Sequence, residues 1–224
     1  MIITIDGPTA SGKSTVAELL AKKLGFYYLN TGALYRAVSY LLVIRCGYTE
    51  ESLAQVKEQD VRLCVDLNML VYSYSAVDGW KIFYDGNDIT QYLKDFSVDR
   101  YVAVISPIPF VRLLVTEVQH AFAKKFNTII EGRDSGSVVF PHADFKFYLT
   151  ADLQVRALRW QADQKKRGNV FTVDQAVKAV EERDIKDLSR HNSPLIIPVD
   201  AHSVDNSSLS LEATVEHLCS IINK

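Results

Sequence analysis

The sequence is poor in cysteine, and its cysteines are far apart. The 224 residues contain only Cys46, Cys64 and Cys219, and no two of these form a C-x-x-C pair. An odd, scattered set disfavours both a disulfide framework and a cysteine metal site, so we expect reduced thiols that pack like small apolar side chains. This usage is typical of a cytoplasmic protein, and we expect the chain to act there as a monomer.

The sequence also lacks a long apolar run and a marked excess of one charge. No stretch approaches about 18 apolar residues, so no membrane partner is expected. Residues 1–6 lack the basic start and apolar run of a secretory signal. The 25 Lys and Arg residues against 27 Asp and Glu residues give a net charge of −2, which disfavours a nucleic-acid partner. With 48% hydrophobic residues, the chain can nevertheless bury a core.

The first fifty residues alternate between strand-like and helical patterns. Residues 2–5 form a β-branched run, and from Ser14 apolar residues recur at helical spacing as far as Gly25, a typical C-cap. Residues 26–29 predict a second strand, and a second helix follows from about Thr31. This order predicts an α/β fold with a mostly parallel sheet and helices on its faces.

After about residue 60 the pattern changes. Residues 61–66, 69–75 and 80–84 are strand-like, and turn-prone segments such as Asp78-Gly79 separate them. Because a parallel crossover needs about a dozen residues, these short connections predict antiparallel pairing. We therefore expect an α/β core made of residues 1–60 and 95–224, with residues 61–94 as a small antiparallel β insert.

Helical patterns return in the second half of the chain. Pro107 and Pro109 separate two predicted helices, and Thr172 with Gln175 forms a capping box at the start of another. The sequence predicts helices from about residue 97, over 110–125, 152–166 and 172–190, and from 211, with strands at 128–131, 146–149 and 196–199.

The strongest motif runs from Gly7 to Ser14 and fits G-x-x-x-x-G-K-[ST]. It follows a predicted strand and opens a predicted helix, which is the context that the motif requires. The glycines let backbone N–H groups face inward at a helix N-terminus, where they can hold diphosphate oxygens. Lys13 would reach the β- and γ-phosphates, and the Ser14 hydroxyl would bind Mg²⁺. The alternative is a chance glycine turn, but the context favours a site for a nucleoside triphosphate.

Additional cationic residues favour a small-molecule kinase among P-loop proteins. The guanine-binding motif N-K-x-D of switch GTPases is absent. Transfer between two phosphate groups needs cations outside the P-loop. Arg36 lies at the start of a predicted helix, and Arg133 directly follows a buried run. Arg183, Asp187 and Arg190 share one helix face. The alternatives are solvent-exposed charges for the single arginines and a salt-bridged helix face for the last group.

Together these segments resemble the bacterial-type cytidylate kinases, a nucleoside monophosphate kinase group of the P-loop kinases. The matching segments occur in the family's order over nearly the whole chain: the P-loop, Thr31 to Arg36, Gly132-Arg133-Asp134, Val138 to Pro141, Arg183-Asp184 with Asp187 and Arg190, Pro194-Leu195, Asp200-Ala201 and Asp205. The resemblance implies a P-loop NTPase-type sheet, a monophosphate-binding role for the insert, and a helical lid over residues 158–171. It also implies transfer of the ATP γ-phosphoryl group to CMP or dCMP.

The resemblance further implies roles for individual residues. ATP would be bound by Gly7, Ala10, Ser11, Gly12, Lys13, Ser14, Thr15 and Arg159. CMP would be bound by Thr31, Arg36, Arg112, Arg133, Asp134, Arg183, Asp187 and Arg190. Lys13, Arg133, Arg159 and Arg190 would be catalytic, and Ser14 would bind Mg²⁺, with Glu131 or Asp6 as a further ligand. No strong general base is needed, because the acceptor is already a phosphate oxyanion.

Four positions depart from the family pattern. Asn30 stands where an acid is usual, Glu131 where Asp is usual, and Lys94 where Arg is common. Ala103 falls where a serine typically contacts the cytosine, and one lost hydrogen bond weakens discrimination by about 1 kcal/mol. Two alternatives to a CMP kinase therefore stay open. One is a P-loop kinase with an altered or relaxed acceptor such as UMP, AMP or another small molecule, and the other is a nucleotide-binding module without turnover.

Overall fold

The computed structural model describes residues 1–223, without the side chain of Phe96. The chain forms two compact units. The first contains Met1–Phe26 and the chain from Thr128 onward, and the second contains Tyr27–Asn127.

Within residues 1–223, eight strands form two sheets. They are β1 (Ile2–Asp6), β2 (Tyr27–Asn30), β3 (Leu70–Ser75), β4 (Gly79–Tyr84), β5 (Asn87–Asp88), β6 (Thr128–Gly132), β7 (Phe145–Thr150) and β8 (His202–Asp205). The main sheet has the order β2-β6-β1-β7-β8, and β1 pairs in parallel with β6 and β7. Ile3 and Ile5 of β1 are fully buried, as expected for a central strand covered on both faces. The predicted parallel sheet is confirmed.

Eight α-helices surround the strands in the described part of the chain. They are α1 (Lys13–Leu24), α2 (Thr31–Cys46), α3 (Glu58–Cys64), α4 (Phe96–Ile105), α5 (Pro109–Ala123), α6 (Leu153–Lys166), α7 (Val173–Leu188) and α8 (Leu211–Ile222). Local signals set several of their ends. Gly25 closes α1 with a left-handed φ of 67°, Pro109 begins α5, and Thr172 and Gln175 form the predicted capping box before α7.

The second sheet is antiparallel, with the order β3-β4-β5, which confirms the predicted small antiparallel sheet. Its predicted first strand, residues 61–66, is wrong, because helix α3 occupies most of that segment. Val61, Cys64 and Val65 are buried there at helical spacing, whereas Leu63 is 62% exposed. The third strand is instead the short β5.

The predicted strand at residues 196–199 is also wrong. Ile196, Ile197 and Val199 are exposed, and Pro198 has no N–H group to offer a neighbouring strand. The edge strand is β8, which pairs in parallel with β7 and which the sequence did not indicate. Only Val204 of β8 is buried, so the strand has little apolar signal.

No single helix within residues 1–223 is long and apolar enough to cross a membrane. Helices α4 and α5 reach the required length and composition only as a pair, and the pair is bent by 106°.

Candidate active site

The loop between β1 and α1 has the backbone that the P-loop motif requires. Gly7 has a φ of 152°, and a Cβ atom at this position would lie 2.0 Å from the carbonyl oxygen of Leu149. Gly12, the N-cap of α1, has a left-handed φ of 90°. Side chains are disfavoured at both positions, by close approach at Gly7 and by backbone conformation at Gly12. Ala10 also has a positive φ, 58°, and Thr15 follows on the exposed side of α1.

Lys13 folds back over this loop. Its Nζ donates to the carbonyl oxygen of Pro8 at 2.6 Å and to Ser11 Oγ at 3.3 Å. The residue is 5% exposed. Burial, helped by the charge of Arg133, lowers the pKa of Lys13 to about 7, although nearby carboxylates act in the opposite direction. The nearby carboxylates therefore do not fully offset the cost of burying the Lys13 ammonium group at the loop.

Ser14 and Glu131 form a hydrogen-bonded pair of candidate metal ligands. The Ser14 hydroxyl donates to Glu131 Oε1 at 3.1 Å, and Glu131 is buried at the end of β6. Neighbouring ligands in an octahedral Mg²⁺ site with bonds near 2.1 Å lie about 3.0 Å apart. A hydroxyl and a carboxylate at this separation fit Mg²⁺.

Asp6, the other candidate metal ligand, is engaged with the main chain. Its Oδ1 accepts from Ser135 N at 2.9 Å, and its Oδ2 accepts from Gly136 N at 2.7 Å. These residues begin a π-helical turn, Ser135–Val139, directly after Asp134. Burial raises the pKa of Asp6 to about 6 despite the two backbone bonds. Its position therefore favours a role in holding this turn.

Three arginines of the first unit converge on one carboxylate. Asp187 is fully buried; its Oδ2 accepts from Arg133 Nε at 2.8 Å, and its Oδ1 from Arg190 Nη2 at 2.5 Å. Arg183 Nε lies 3.5 Å from Oδ1. Burial alone would raise the pKa of Asp187, but the three guanidinium groups hold it below its usual value. Three positive charges face one negative charge, so the cluster is suited to binding a further anion.

Arg133 and Asp134 follow β6, at the carboxyl ends of the parallel strands. Open α/β sheets bind ligands at this edge. The P-loop follows β1, which pairs with β6 in register from Ile2 opposite Thr128 to Asp6 opposite Gly132. The sequence-predicted residues Lys13 and Ser14 therefore lie beside the segment that carries Arg133, and Asp134 is buried there.

Arg159 also reaches the P-loop, both directly, with its Nη1 3.4 Å from the carbonyl oxygen of Ser11, and through a residue that the sequence did not indicate. Its Nη1 donates to Asn206 Oδ1 at 3.0 Å and its Nη2 to the Asn206 carbonyl at 3.1 Å. Asn206 Nδ2 in turn donates to the carbonyl oxygen of Ser11 at 3.0 Å. Asn206 directly follows Asp205, one of the resembling positions, and this adjacency was the only available signal.

The remaining predicted residues lie in the second unit. Thr31 is buried at the start of α2. Arg36 Nη2 donates to Asp99 Oδ1 at 2.6 Å. Arg112 is buried, donates to the carbonyl oxygen of Ser106 at 3.1 Å and lies 5.5 Å above the ring of Tyr35.

The unusual residues of the second unit have different surroundings. Asn30 caps α2, because its Oδ1 accepts from Ala33 N at 2.9 Å, a role that an aspartate would fill equally well. Ala103 on α4 and Lys94 before it are exposed.

Comparisons with known proteins agree on one family. A sequence profile described as cytidylate kinase matches residues 3–224. The chain is 37% identical to the cytidylate kinase of Caldanaerobacter subterraneus subsp. tengcongensis over 222 residues, 99% of this chain and 94% of that protein. It is also 37% identical to the cytidylate kinase of Carboxydothermus hydrogenoformans, over 100% of this chain and 98% of that protein.

A solved structure shows a similar fold. An uncharacterized protein from Eubacterium ventriosum aligns with a TM-score of 0.53 at 12% identity, covering 100% of this chain and 99% of the other. That likeness concerns the fold alone. The sequence relatives and the profile identify the family, and the chain belongs to the cytidylate kinases.

Proposed function

We propose that this chain transfers the γ-phosphoryl group of ATP to CMP or dCMP, giving ADP and CDP or dCDP. Family membership supports this reaction, since the relatives are named for it. The observation that carries the proposal is the cluster of Arg133, Arg183 and Arg190 around Asp187, in the same unit as the P-loop. A kinase needs cations at a second phosphate besides those at the donor, and the chain has both sets.

The P-loop binds the donor. Backbone N–H groups of the loop face the phosphates, and Lys13 exchanges its bond to the Pro8 carbonyl for bonds to phosphate oxygens. Arg159, held by Asn206 beside Ser11, adds a further positive charge. The proposed ATP-binding residues are Gly7, Ala10, Ser11, Gly12, Lys13, Ser14, Thr15 and Arg159.

The arginine cluster binds the acceptor. Arg133 and Arg190 hold the acceptor phosphate, while Arg183 and Asp187 contact the ribose. Guanidinium groups fit phosphate oxygens in two-bond geometry, which fixes the attacking oxygen as well as neutralising it. The remaining proposed CMP contacts, which stay predictions from the resemblance, are Thr31, Arg36, Arg112 and Asp134.

Ser14 and Glu131 would hold Mg²⁺, and their oxygens lie 3.1 Å apart. The ion would neutralise charge between the β- and γ-phosphates. No side chain has to remove a proton, because the acceptor oxygen is already an oxyanion. The chain's contribution is the positioning of two phosphates and the stabilisation of charge. Residues 158–171 form the proposed lid that excludes water, and residues 61–94 the proposed monophosphate-binding region.

An acceptor panel tests the reaction. Purified protein with ATP and Mg²⁺ is supplied with CMP, dCMP, UMP or AMP, and ADP release is measured. We expect CMP or dCMP to have the highest kcat/KM. Faster turnover of UMP or AMP would overturn the proposed acceptor, and no turnover with any monophosphate despite ATP binding would indicate a non-catalytic module.

The serine that the family has at position 103 provides a sharper test of base recognition. We expect Ala103→Ser to raise the ratio of kcat/KM for CMP over UMP about fivefold, the equivalent of one hydrogen bond of about 1 kcal/mol. Lys94→Arg, which also restores a family residue at an exposed position, is measured in the same way for comparison with Ala103→Ser. An unchanged ratio in Ala103→Ser would mean that position 103 does not contact the base in this chain.

The proposal includes a monomer that acts in the cytoplasm. Light scattering at assay concentration should give a mass near the chain mass of 25.2 kDa. Fractionation of cells that express the chain would test its location, and recovery outside the cytoplasmic fraction would contradict that part of the proposal.

A further inference from the structure

Thr9 of the P-loop is held through its backbone by two side chains outside the P-loop motif. Its N–H donates to Asp184 Oδ1 at 2.8 Å, and its carbonyl oxygen accepts from Arg156 Nη1 at 3.1 Å. Arg156 Nη1 also donates to Asp184 Oδ2. Both main-chain polar groups of Thr9 are therefore bound within one closed set of hydrogen bonds, which we call the Thr9 clamp.

The Thr9 clamp connects the P-loop with three other elements of the first unit. Arg156 lies in the first turn of α6, and its Nε donates at 2.9 Å to the carbonyl oxygen of Ala151, just after β7. Asp184 lies in α7, next to Arg183 and one turn before Asp187. The clamp thus joins the donor-binding loop to the helix that carries Arg183 and Asp187 of the arginine cluster.

Both clamp side chains are nearly buried. Each residue is 9% exposed, so the charges are largely shielded from water and depend on each other. A buried ion pair is weak evidence for stability by itself, because apolar residues can often replace it. Here the pair also forms hydrogen bonds with the backbone N–H and carbonyl groups of Thr9, which apolar residues cannot do. The geometry therefore points to a role in fixing the loop.

The loop beside the clamp has a conformation that needs such support. Ala10, the next residue, has a φ of 58°, and a non-glycine residue keeps this conformation only where its surroundings determine it. The hydroxyl of Thr9 is buried and has no hydrogen-bond partner within the described residues. Thr9 is consequently held by its main chain, and the clamp residues are the groups that hold it.

We infer that Arg156 and Asp184 are positioning residues, which fix the P-loop backbone at Thr9 relative to helix α7. They contact neither substrate in this inference. Their effect is to set the donor phosphates at a defined distance from Arg183 and the other arginines of the cluster. Small displacements of reacting groups lower phosphoryl-transfer rates strongly, because the catalysis is mainly positioning. The inference rests on the proposed function.

Two variants loosen the Thr9 clamp in different ways. Asp184→Asn keeps an oxygen for the Thr9 N–H but removes the charge that orients Arg156. Arg156→Lys keeps the charge but cannot make all of the guanidinium contacts at once. Asp144→Asn is the matched control, because Asp144 Oδ2 accepts from Ile2 N at 2.6 Å, a carboxylate-to-backbone bond at the opposite end of β1.

The kinetic constants of these variants test the inference, with assays run well below each melting temperature and rates expressed per folded molecule. We expect kcat to fall at least about tenfold in both clamp variants and the Kd of ATP, measured without acceptor, to rise. The KM of CMP should stay within about twofold, since the arginine cluster is intact, and Asp144→Asn should match the wild type. The double variant should lose no more activity than the more severe single variant, because both substitutions disrupt the same Thr9 clamp.

Other outcomes separate a positioning role from a merely structural one. A lower melting temperature with unchanged kcat and ATP Kd would overturn the inference, and so would losses of kcat that multiply in the double variant. If Asp184→Asn does not fold, Arg156→Lys is judged by the same split between kcat and the KM of CMP. If the wild type transfers no phosphoryl group to CMP, the proposed function fails. In that case the positioning role is still tested by ATP binding, and an unchanged Kd of ATP in Arg156→Lys would overturn it.

Discussion

The binding of ATP to this chain should weaken as the pH rises, because the P-loop lysine is easily deprotonated. The pKa of Lys13 is lowered to about 7 by burial and by the charge of Arg133. In the proposed site the triphosphate would bind the protonated lysine, and its negative charges would then keep the pKa of Lys13 high in the complex. ATP binding above pH 7 should therefore take up a proton, and deprotonation should compete with binding.

The size of the effect follows from that pKa. For a free-protein pKa of about 7, the factor by which deprotonation weakens binding grows from about 4 at pH 7.5 to about 100 at pH 9. The Kd of ATP should thus rise about 25-fold between these pH values, which corresponds to about 2 kcal/mol. This window avoids Asp6, whose pKa of about 6 leaves it ionised throughout, and the terminal phosphate of ATP, which is also ionised.

Isothermal titration calorimetry without acceptor measures both consequences. Repeating the titration at pH 9 in buffers of different ionisation enthalpy should report an uptake close to one proton for each ATP bound. Lys13→Arg is the control, since a guanidinium stays protonated across this window and the Kd should then be independent of pH. A wild-type Kd that changes by less than about threefold, with no proton uptake, would refute the proposed environment of Lys13.

Further predictions concern the loop, the metal ligands and the arginine cluster. Gly7→Ala should raise the Kd of ATP at least about tenfold, because the added Cβ would collide with the carbonyl oxygen of Leu149. Gly25→Ala is the control, since Gly25 also has a positive φ but an added Cβ there would meet no neighbouring atom, and calorimetry should give an unchanged Kd. Glu131→Gln should raise the Mg²⁺ concentration needed for half-maximal turnover about tenfold, and an unchanged requirement would remove Glu131 from the metal site. Asp187→Ala should raise the KM of CMP more than that of ATP, and the reverse pattern in steady-state kinetics would contradict an acceptor role.

The parts of the fold that the sequence predicted correctly depend on local signals. Glycines at positive φ, a capping box and a proline at a helix start act within a few residues, so the sequence contains their full pattern. The segment at 61–66 shows the limit of this reasoning. Val61, Leu63 and Val65 alternate as in a strand, yet the helix buries Val61, Cys64 and Val65 and exposes Leu63. Both periodicities fit so short a run, and tertiary packing decides between them.

The candidate site was predictable where a motif, a strand end or a helical spacing marks its residues. Lys13 and Ser14 belong to a motif with a known backbone shape, and Arg133 follows a strand of the parallel sheet. Asn206, Arg156 and Asp184 contact the P-loop through main-chain atoms of Ser11 and Thr9, at separations of 147 to 195 residues along the chain. Contacts to a backbone place no requirement on the residue type contacted, so the loop sequence contains no trace of them.

Asp187 gives the arginine cluster its shape before any phosphate binds. Without a carboxylate between them, the three guanidinium groups would repel one another. The energy needed to bring them together would then weaken the binding of an acceptor phosphate. With Asp187 between them, part of this repulsion is offset on folding, and the three guanidinium groups in contact with Asp187 still outnumber it. A phosphate monoester has a charge of about −1.5 to −2 near neutral pH, so the arginines would favour its binding. In the proposed acceptor site the buried carboxylate would therefore set both the geometry and the charge balance of the arginines, and a chain whose overall charge is −2 can still present a locally cationic site.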